Sequence, residues 1–391
     1  RGGILGGIAG QAASGKRVSA CSAATAAQEL FALADKTNIP LNMMCELTYR
    51  CNEKCLHCYL PETQGLRAPR VADELTAAEW GRAFEGMAEA GTLYLILTGG
   101  EVLLRPDFSE ILRLARAQAF SVEIFTNAVL LTPEIADEWA EQAVQNVGVS
   151  IYSPSAVVHD RVTKLAGSFE NTLRGVRLLK ERGVAVKLKT PMMKLNLANY
   201  QALIDLAAEI GVPYQFDPMI VPRNDGSTLP VRLGLDDERL ESMYREERLV
   251  PADDVLLARP LGPGDSPCSA GRTSGAVGPY GDVVPCIQWM VPAGNLRERS
   301  FDDIWREGSV LGRARTYTGK DLKPCEECGQ PHFIHCFGMS QLEKRDPLAS
   351  SSEACRLTKT MRAIQATQAA PLVQMEAART PQNTGGVQEK A

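Results

Sequence analysis

The chain has no excess of basic residues: 42 Lys and Arg stand against 47 Asp and Glu, a net charge of −5 over 391 residues. Neutralising phosphates needs a basic face, so no nucleic-acid partner is expected. Aromatics are scarce, at 6%, and no basic stretch is interleaved with them as a base-stacking platform would be. No run approaches the ~18 apolar residues of a membrane span, which excludes an integral helical membrane protein. The stretch Arg1–Ala20 lacks a compact apolar segment followed by a cleavage site, and glycines break the one run that comes near it, Ile4–Ala13. A cytoplasmic protein is expected, and no fixed-period repeat is present. What the chain does have is a globular profile, 45% hydrophobic and 23% charged, enough for about two domains. It also has 11 cysteines. An odd number of thiols without an export signal points to metal ligands rather than disulfides.

Residues 1–25 are small and polar and read as a flexible lead-in, followed by a short helix over Ala26–Lys36. Apolar strand patterns then alternate with helical ones. The strands are expected at Leu41–Leu47, Leu93–Thr98, Ser121–Thr126, Val147–Ile151, Val184–Thr190 and Tyr214–Val221. The helices fall near Thr76–Ala90, Asp107–Gln118, Pro133–Gln145, Phe169–Arg182 and Tyr200–Ile210. Thr132-Pro133 fits a helix start, and Gly183 and Gly211 fit helix ends. Such alternation predicts parallel βα units in an α/β fold, either a partial barrel or a doubly wound sheet. In both, chemistry sits in the loops after the strands. From 226 to 267 the pattern lapses into a linker rich in Pro, Gly and Asp, with one helix around Asp237–Glu247. Residues 268–356 hold six of the cysteines and little regular periodicity, so a metal is expected to hold them together. Beyond Arg356 one helix and a polar tail are expected, over 357–391.

The sharpest feature follows the first strand: Cys51-Asn-Glu-Lys-Cys55-Leu-His-Cys58. Three thiolates within eight residues can each take one corner of an iron–sulfur cubane and leave the fourth iron open to a chelating small molecule. A structural zinc site is the alternative. This CxxxCxxC triplet, followed by Tyr59, resembles that of the radical S-adenosylmethionine (SAM) enzymes. The second strand strengthens the resemblance, because it runs directly into Gly99-Gly100-Glu101. In that family such a stretch lies along the methionine part of the cofactor, with backbone brought close by the glycines and Glu101 able to pair with the ammonium. Val102 stands where the family usually has proline. Thr126-Asn127 at the third strand is similar to the family's Thr-Asn-Gly, with Ala128 in place of the glycine, and Ser150 stands where the family often has a serine near the ribose or methionine portion of the cofactor. Tyr152 replaces a more frequent aspartate, and Lys187, Lys189 and Asn196 attend the fifth strand. Each of these, taken singly, also fits a capping or solvated strand-end role. The resemblance covers residues 41–225 and implies a partial (β/α)6 barrel like that of triosephosphate isomerase.

The C-terminal cysteines are similar to the SPASM extension, an auxiliary iron–sulfur module. Cys268, Gly281 and Cys286 form C-x12-G-x4-C, and Cys325, Cys328, Cys336 and Cys355 follow. The family's CxxCx5Cx3C is incomplete here, with seven residues between Cys328 and Cys336 and one cysteine missing. Cys325, Cys328, Cys336 and Cys355 could complete one cluster, leaving Cys268 and Cys286 short of thiolates, with His332, His335, a carboxylate or the substrate as further ligands. Alternatively one cluster and two spare thiols are present, and zinc remains open for the CxxC pair. Cys21 and Cys45 fall outside every motif.

The resemblance implies a site-differentiated [4Fe-4S] cluster, SAM and one or two auxiliary iron–sulfur clusters. It implies reductive cleavage of SAM and abstraction of a substrate hydrogen atom by the 5′-deoxyadenosyl radical. The expected substrate is a ribosomally made peptide or protein side chain, crosslinked, oxidised or epimerised. The lead-in is too short for an independent leader-binding domain, so a leader is expected to be held by a separate leader-binding protein or by the barrel surface, with flavodoxin or ferredoxin as reductant. A tetrapyrrole-modifying enzyme of the heme d1 or alternative heme type is the second reading. A non-catalytic iron–sulfur carrier or a zinc-stabilised binding module is the reading from another class. No acid or base is assigned, Tyr152, Lys187 and Lys189 being the candidates.

Overall fold

The computed structural model describes residues 23–246, 260–323 and 333–379. Six parallel strands alternate with helices: β1 (Asn42–Glu46), β2 (Tyr94–Thr98), β3 (Ser121–Thr126), β4 (Asn146–Ser150), β5 (Val186–Pro191) and β6 (Tyr214–Asp217). The helices α1 (Ala23–Thr37), α2 (Ala77–Glu89), α3 (Phe108–Ala117), α4 (Pro133–Glu141), α5 (Ala156–Thr163), α6 (Ser168–Glu181) and α7 (Tyr200–Ile210) intervene. The strands lie in chain order without a reversal. A doubly wound sheet needs a reversal, so the layout is the barrel alternative.

The local reasons are those the pattern suggests. Thr132 accepts the Ile135 amide with Pro133 at the first helical position, and Gly183 and Gly211 both hold the left-handed backbone that ends a helix. β6 stops at Asp217, short of the expected Val221, because Pro218 has no N–H for the ladder. One face of each strand packs under the helices: Met43 and Cys45, Leu95 and Leu97, Val122 and Ile124, and Val147 and Val149 share a core with Trp80, Phe84 and Trp139. Alternation turns Met44, Phe125, Ser150 and Lys189 to the inner face.

The cysteine-rich segment departs from expectation. It contributes β7 (Ser274–Val277), parallel to β1, and β8 (Asp282–Val284) and β9 (Gly294–Asn295), which extend the same sheet antiparallel to nine strands. Trp289, Phe301, Ile304, Trp305 and Phe337 enter the main core, so this segment is held by ordinary packing as well as by whatever its thiols bind. The linker helix is α8 (Asp237–Arg245), followed beyond β9 by α9 (Phe301–Glu307), α10 (Ser309–Thr316) and α11 (Phe337–Lys344). The last helix, α12 (Ser352–Arg379), runs through the expected boundary at 356. Leu357, Met361 and Ile364 fall on one of its faces and pack with Leu240 and Met243 of α8.

Candidate active site

The loop carrying Cys51, Cys55 and Cys58 is located from three sides. Next to β2, the Gly100 and Glu101 amides donate to Thr48 O and Arg50 O at 2.7 and 2.8 Å, continuing the β1–β2 pairing past the strand ends. A Cβ on Gly99 would stand 2.3 Å from Thr48 O, and one on Gly100 2.1 Å from Arg50 O. The close approach these glycines permit is therefore to the cysteine loop itself. On another side, the Lys54 and Leu56 amides donate to Thr163 O and Val162 O at 2.9 Å, satisfying carbonyls left free at the end of α5. At the base, buried Arg105 donates to Leu47 O and Leu75 O at 2.8 Å and pairs with Asp107 and Glu74.

These constraints bring the three thiols to the wall of one cavity of about 230 Å³ at the C-terminal ends of β1–β4. Gly99, Gly100, Thr126, Asn127 and Ser150 line the same cavity, so it assembles all but one of the residues expected to touch the nucleoside cofactor. Glu101 stands behind the wall. Its carboxylate accepts from Thr126 Oγ1 at 2.8 Å, the Asn127 amide at 2.8 Å and the Leu103 amide at 3.1 Å. Burial raises its pKa, and those three hydrogen bonds work against the rise. Ala128, where the family has glycine, takes a left-handed φ of 58°, which accounts for the usual residue. Asn196 caps a turn, accepting from the Met193 amide at 2.7 Å and donating to Pro191 O at 3.0 Å.

Thr63 donates to Cys58 Sγ at 2.9 Å, the Glu53 amide to Cys51 Sγ at 3.4 Å, and the Tyr152 hydroxyl lies 3.6 Å from Cys55 Sγ. Burial pushes all three thiols above their usual pKa, and the charges they would carry push on one another. Among the described residues no three or more His, Cys, Asp or Glu meet at the spacing of a single metal ion. The donor set, three soft sulfurs around one cavity whose remaining wall is lined by polar loop ends, fits an iron–sulfur cluster with one iron left to a second ligand. His57 also lines the cavity, its ring edge-on to Tyr152 and its Nδ1 buried without a partner among the described residues. Sequence reasoning passed it over, although it lies inside the cysteine triplet.

The described C-terminal thiols form a second group. Burial pushes Cys286 up to about 11, and Cys268 and Cys336 push it the same way; Cys336 in turn feels Cys268. Cys336 therefore stands near Cys268 and Cys286, the pair expected to be short of thiolates. The cause is α11: a Cβ on Gly338 would be 2.4 Å from Gln288 O, and Phe337 packs on Trp289 with centroids 5.1 Å apart. The first turn of α11 is thus pressed onto the turn that carries Cys286. Cys355 is half-buried near the start of α12, and Cys325, Cys328 and His332 lie outside the described residues, as does Cys21.

Residues 45–208 match the radical SAM superfamily, and residues 268–329 match the iron–sulfur cluster-binding domain SPASM. The AdoMet-dependent heme synthase of Methanosarcina barkeri is 30% identical over 305 residues, covering 71% of this chain and 86% of the relative. The chain belongs to the radical SAM superfamily. The PqqA peptide cyclase of Ruegeria pomeroyi is 29% identical over 339 residues, 81% of this chain and 87% of the relative. The fold is that of Streptococcus suis SuiB bound to the precursor peptide SuiA, with a TM-score of 0.63 at 18% identity over 84% of this chain and 80% of that one. As a radical SAM enzyme with a SPASM domain, the protein uses a [4Fe-4S] cluster, SAM and auxiliary iron–sulfur clusters, which sets the zinc and electron-carrier readings aside. Among the described residues no helix is long and apolar enough to cross a membrane.

Proposed function

We propose that this radical SAM enzyme modifies a ribosomally made peptide or protein side chain. Cys51, Cys55 and Cys58 hold the catalytic cluster in this reading, and Gly99, Gly100, Thr126, Asn127 and Ser150 contact SAM. Glu101 holds the second and third of these loops together. Cys268, Cys286 and Cys336 serve one auxiliary cluster, and Cys325, Cys328 and Cys355 serve another. When bound and reduced, the cluster and SAM supply a 5′-deoxyadenosyl radical that takes a hydrogen atom from the substrate. The chain's own contribution is positional. The paired loops fix where the cofactor lies, the buried wall excludes water, and the inner face of β3–β6 presents the substrate.

The observation that carries the radical reading is the meeting of three separated thiols with the ends of β2, β3 and β4 in one cavity. The peptide reading draws its support from the SPASM match and from the PqqA peptide cyclase, which aligns over most of both chains. A second reading, a tetrapyrrole substrate, has the heme synthase in its favour. The test is a parallel assay of the iron-loaded, reduced enzyme with SAM, offered short peptides encoded beside its gene or a tetrapyrrole precursor. A mass change in a peptide, matched by 5′-deoxyadenosine, is the expected result. A modified tetrapyrrole with unchanged peptides would replace the peptide reading with the second one. A leader-binding protein and a flavodoxin or ferredoxin are proposed partners, tested by whether adding each raises turnover.

A further inference from the structure

The inner face of the sheet holds a lysine whose surroundings are built rather than incidental. Lys189 on β5 lies opposite Ser150 of β4 in the register, and Phe125 of β3 lies opposite Gly148. The Lys189 Nζ sits 3.6 Å from the centroid of the Phe125 ring, reaching back across β4. Gly148 permits this crossing: a Cβ there would lie 2.7 Å from Phe125 Cδ1 and 2.9 Å from Lys189 Cδ. Phe125 and Ser150 both line the active-site cavity. The ammonium is therefore held against an aromatic ring that forms part of the cavity wall.

The anions nearby are engaged elsewhere. Glu123 accepts from Asn146 Nδ2 at 2.6 Å, and Asp217 accepts the Met219 amide at 2.9 Å. Among the described residues no carboxylate comes within 4 Å of Lys189 Nζ, and no acceptor hydrogen-bonds it. Burial lowers its pKa; Glu123 opposes this, Lys187 adds to it, and Asp217 opposes it. A half-buried cation with no anion in contact is costly unless an anion arrives with the ligand. Having been desolvated and oriented beforehand, it gains a charge-assisted hydrogen bond when one does.

We infer that Lys189 anchors a carboxylate of the substrate, so that the enzyme takes a peptide presenting either its C-terminal carboxylate or an acidic side chain next to the reacting position. The inference rests on the peptide reading for the source of the carboxylate but not for the anion site. Lys189 is then a positioning residue, holding one end of the substrate while the reacting C–H faces the cavity.

The test is competitive acetylation of the full-length, iron-loaded protein under anaerobic conditions, with Lys189 labelling measured by mass spectrometry against Lys36 and Lys164. The probes are N-acetylglycine for a C-terminal carboxylate, N-acetylaspartate methylamide for an acidic side chain, and N-acetylglycinamide as the neutral control, at matched ionic strength in potassium chloride. One or both acids should slow Lys189 labelling several-fold and saturably, leaving Lys36 and Lys164 unchanged, and the better of the two identifies the source. Equal slowing by the neutral amide or by chloride, or none by either acid, overturns the inference. Because no peptide substrate is used, this outcome and the outcome of the peptide screen stand separately. With a modified peptide in hand, Lys189→Met should raise KM several-fold and leave kcat nearly unchanged; a loss confined to thermal stability would mark a structural lysine.

Discussion

Glu101 illustrates how one side chain can be read two ways. Its motif suggests a partner for the ammonium of SAM, whereas its carboxylate accepts three internal hydrogen bonds and is 1% exposed. Glu101→Gln keeps the shape but puts an NH2 where an acceptor was. With the remaining carbonyl serving Thr126 and Leu103, the buried Asn127 amide loses its acceptor. The expected cost is about 1–3 kcal/mol of unfolding free energy, measured by urea denaturation without SAM. Unchanged stability with weakened SAM binding would return Glu101 to the ammonium. The motif residues themselves were legible in the sequence because their spacing is chemical. What the glycines and Glu101 touch was not, since the contacts run to Thr48, Arg50 and Asn127, far away in the chain.

At the scale of elements, α5 is the support of the cysteine loop, since its last carbonyls receive the Lys54 and Leu56 amides. Asp160 secures the corner beyond it. Its carboxylate accepts from the Gly167 and Phe169 amides at 2.6 and 2.9 Å and from Ser168 Oγ at 2.9 Å. Burial works to raise its pKa, but the hydrogen bonds from Phe169, Gly167 and Ser168 hold it below the usual carboxylate range. Asp160→Ala should cost about 1 kcal/mol, as for loss of a helix cap, and should speed loss of iron from the catalytic site on exposure to a chelator. Iron retention equal to that of the unaltered protein would show that this corner does not hold the loop. The long helices and the strands were readable from their periods. Helix α5 was not, because eight residues make barely two turns. The same holds for α9, α10 and α11, whose buried Phe, Trp and Ile residues are scattered through a segment dense in cysteine and proline and show no sustained period.

At the scale of the whole molecule, the two cysteine-bearing regions share one sheet: β7 lies directly against β1, whose end launches the cysteine triplet. The α/β class and the barrel alternative follow from strand–helix alternation, but the pairing of β7 with β1 joins residues more than two hundred positions apart and has no local signature. The charged bridge from Arg272 to Asp35, at 2.8 Å, and the bond from Trp305 Nε1 to Asn38 O, at 2.7 Å, tie α1 and the turn after it to the C-terminal segment. This arrangement allows the C-terminal thiols to keep their place when the first three are removed. The most direct test compares the protein with its C51A/C55A/C58A variant, both iron-loaded and reduced in the presence of SAM, by 5′-deoxyadenosine formation and iron content. The unaltered protein should form 5′-deoxyadenosine, and the variant should form none while losing about four irons per chain and keeping the rest. Continued 5′-deoxyadenosine formation by the variant would contradict the assignment of these three cysteines to the catalytic cluster.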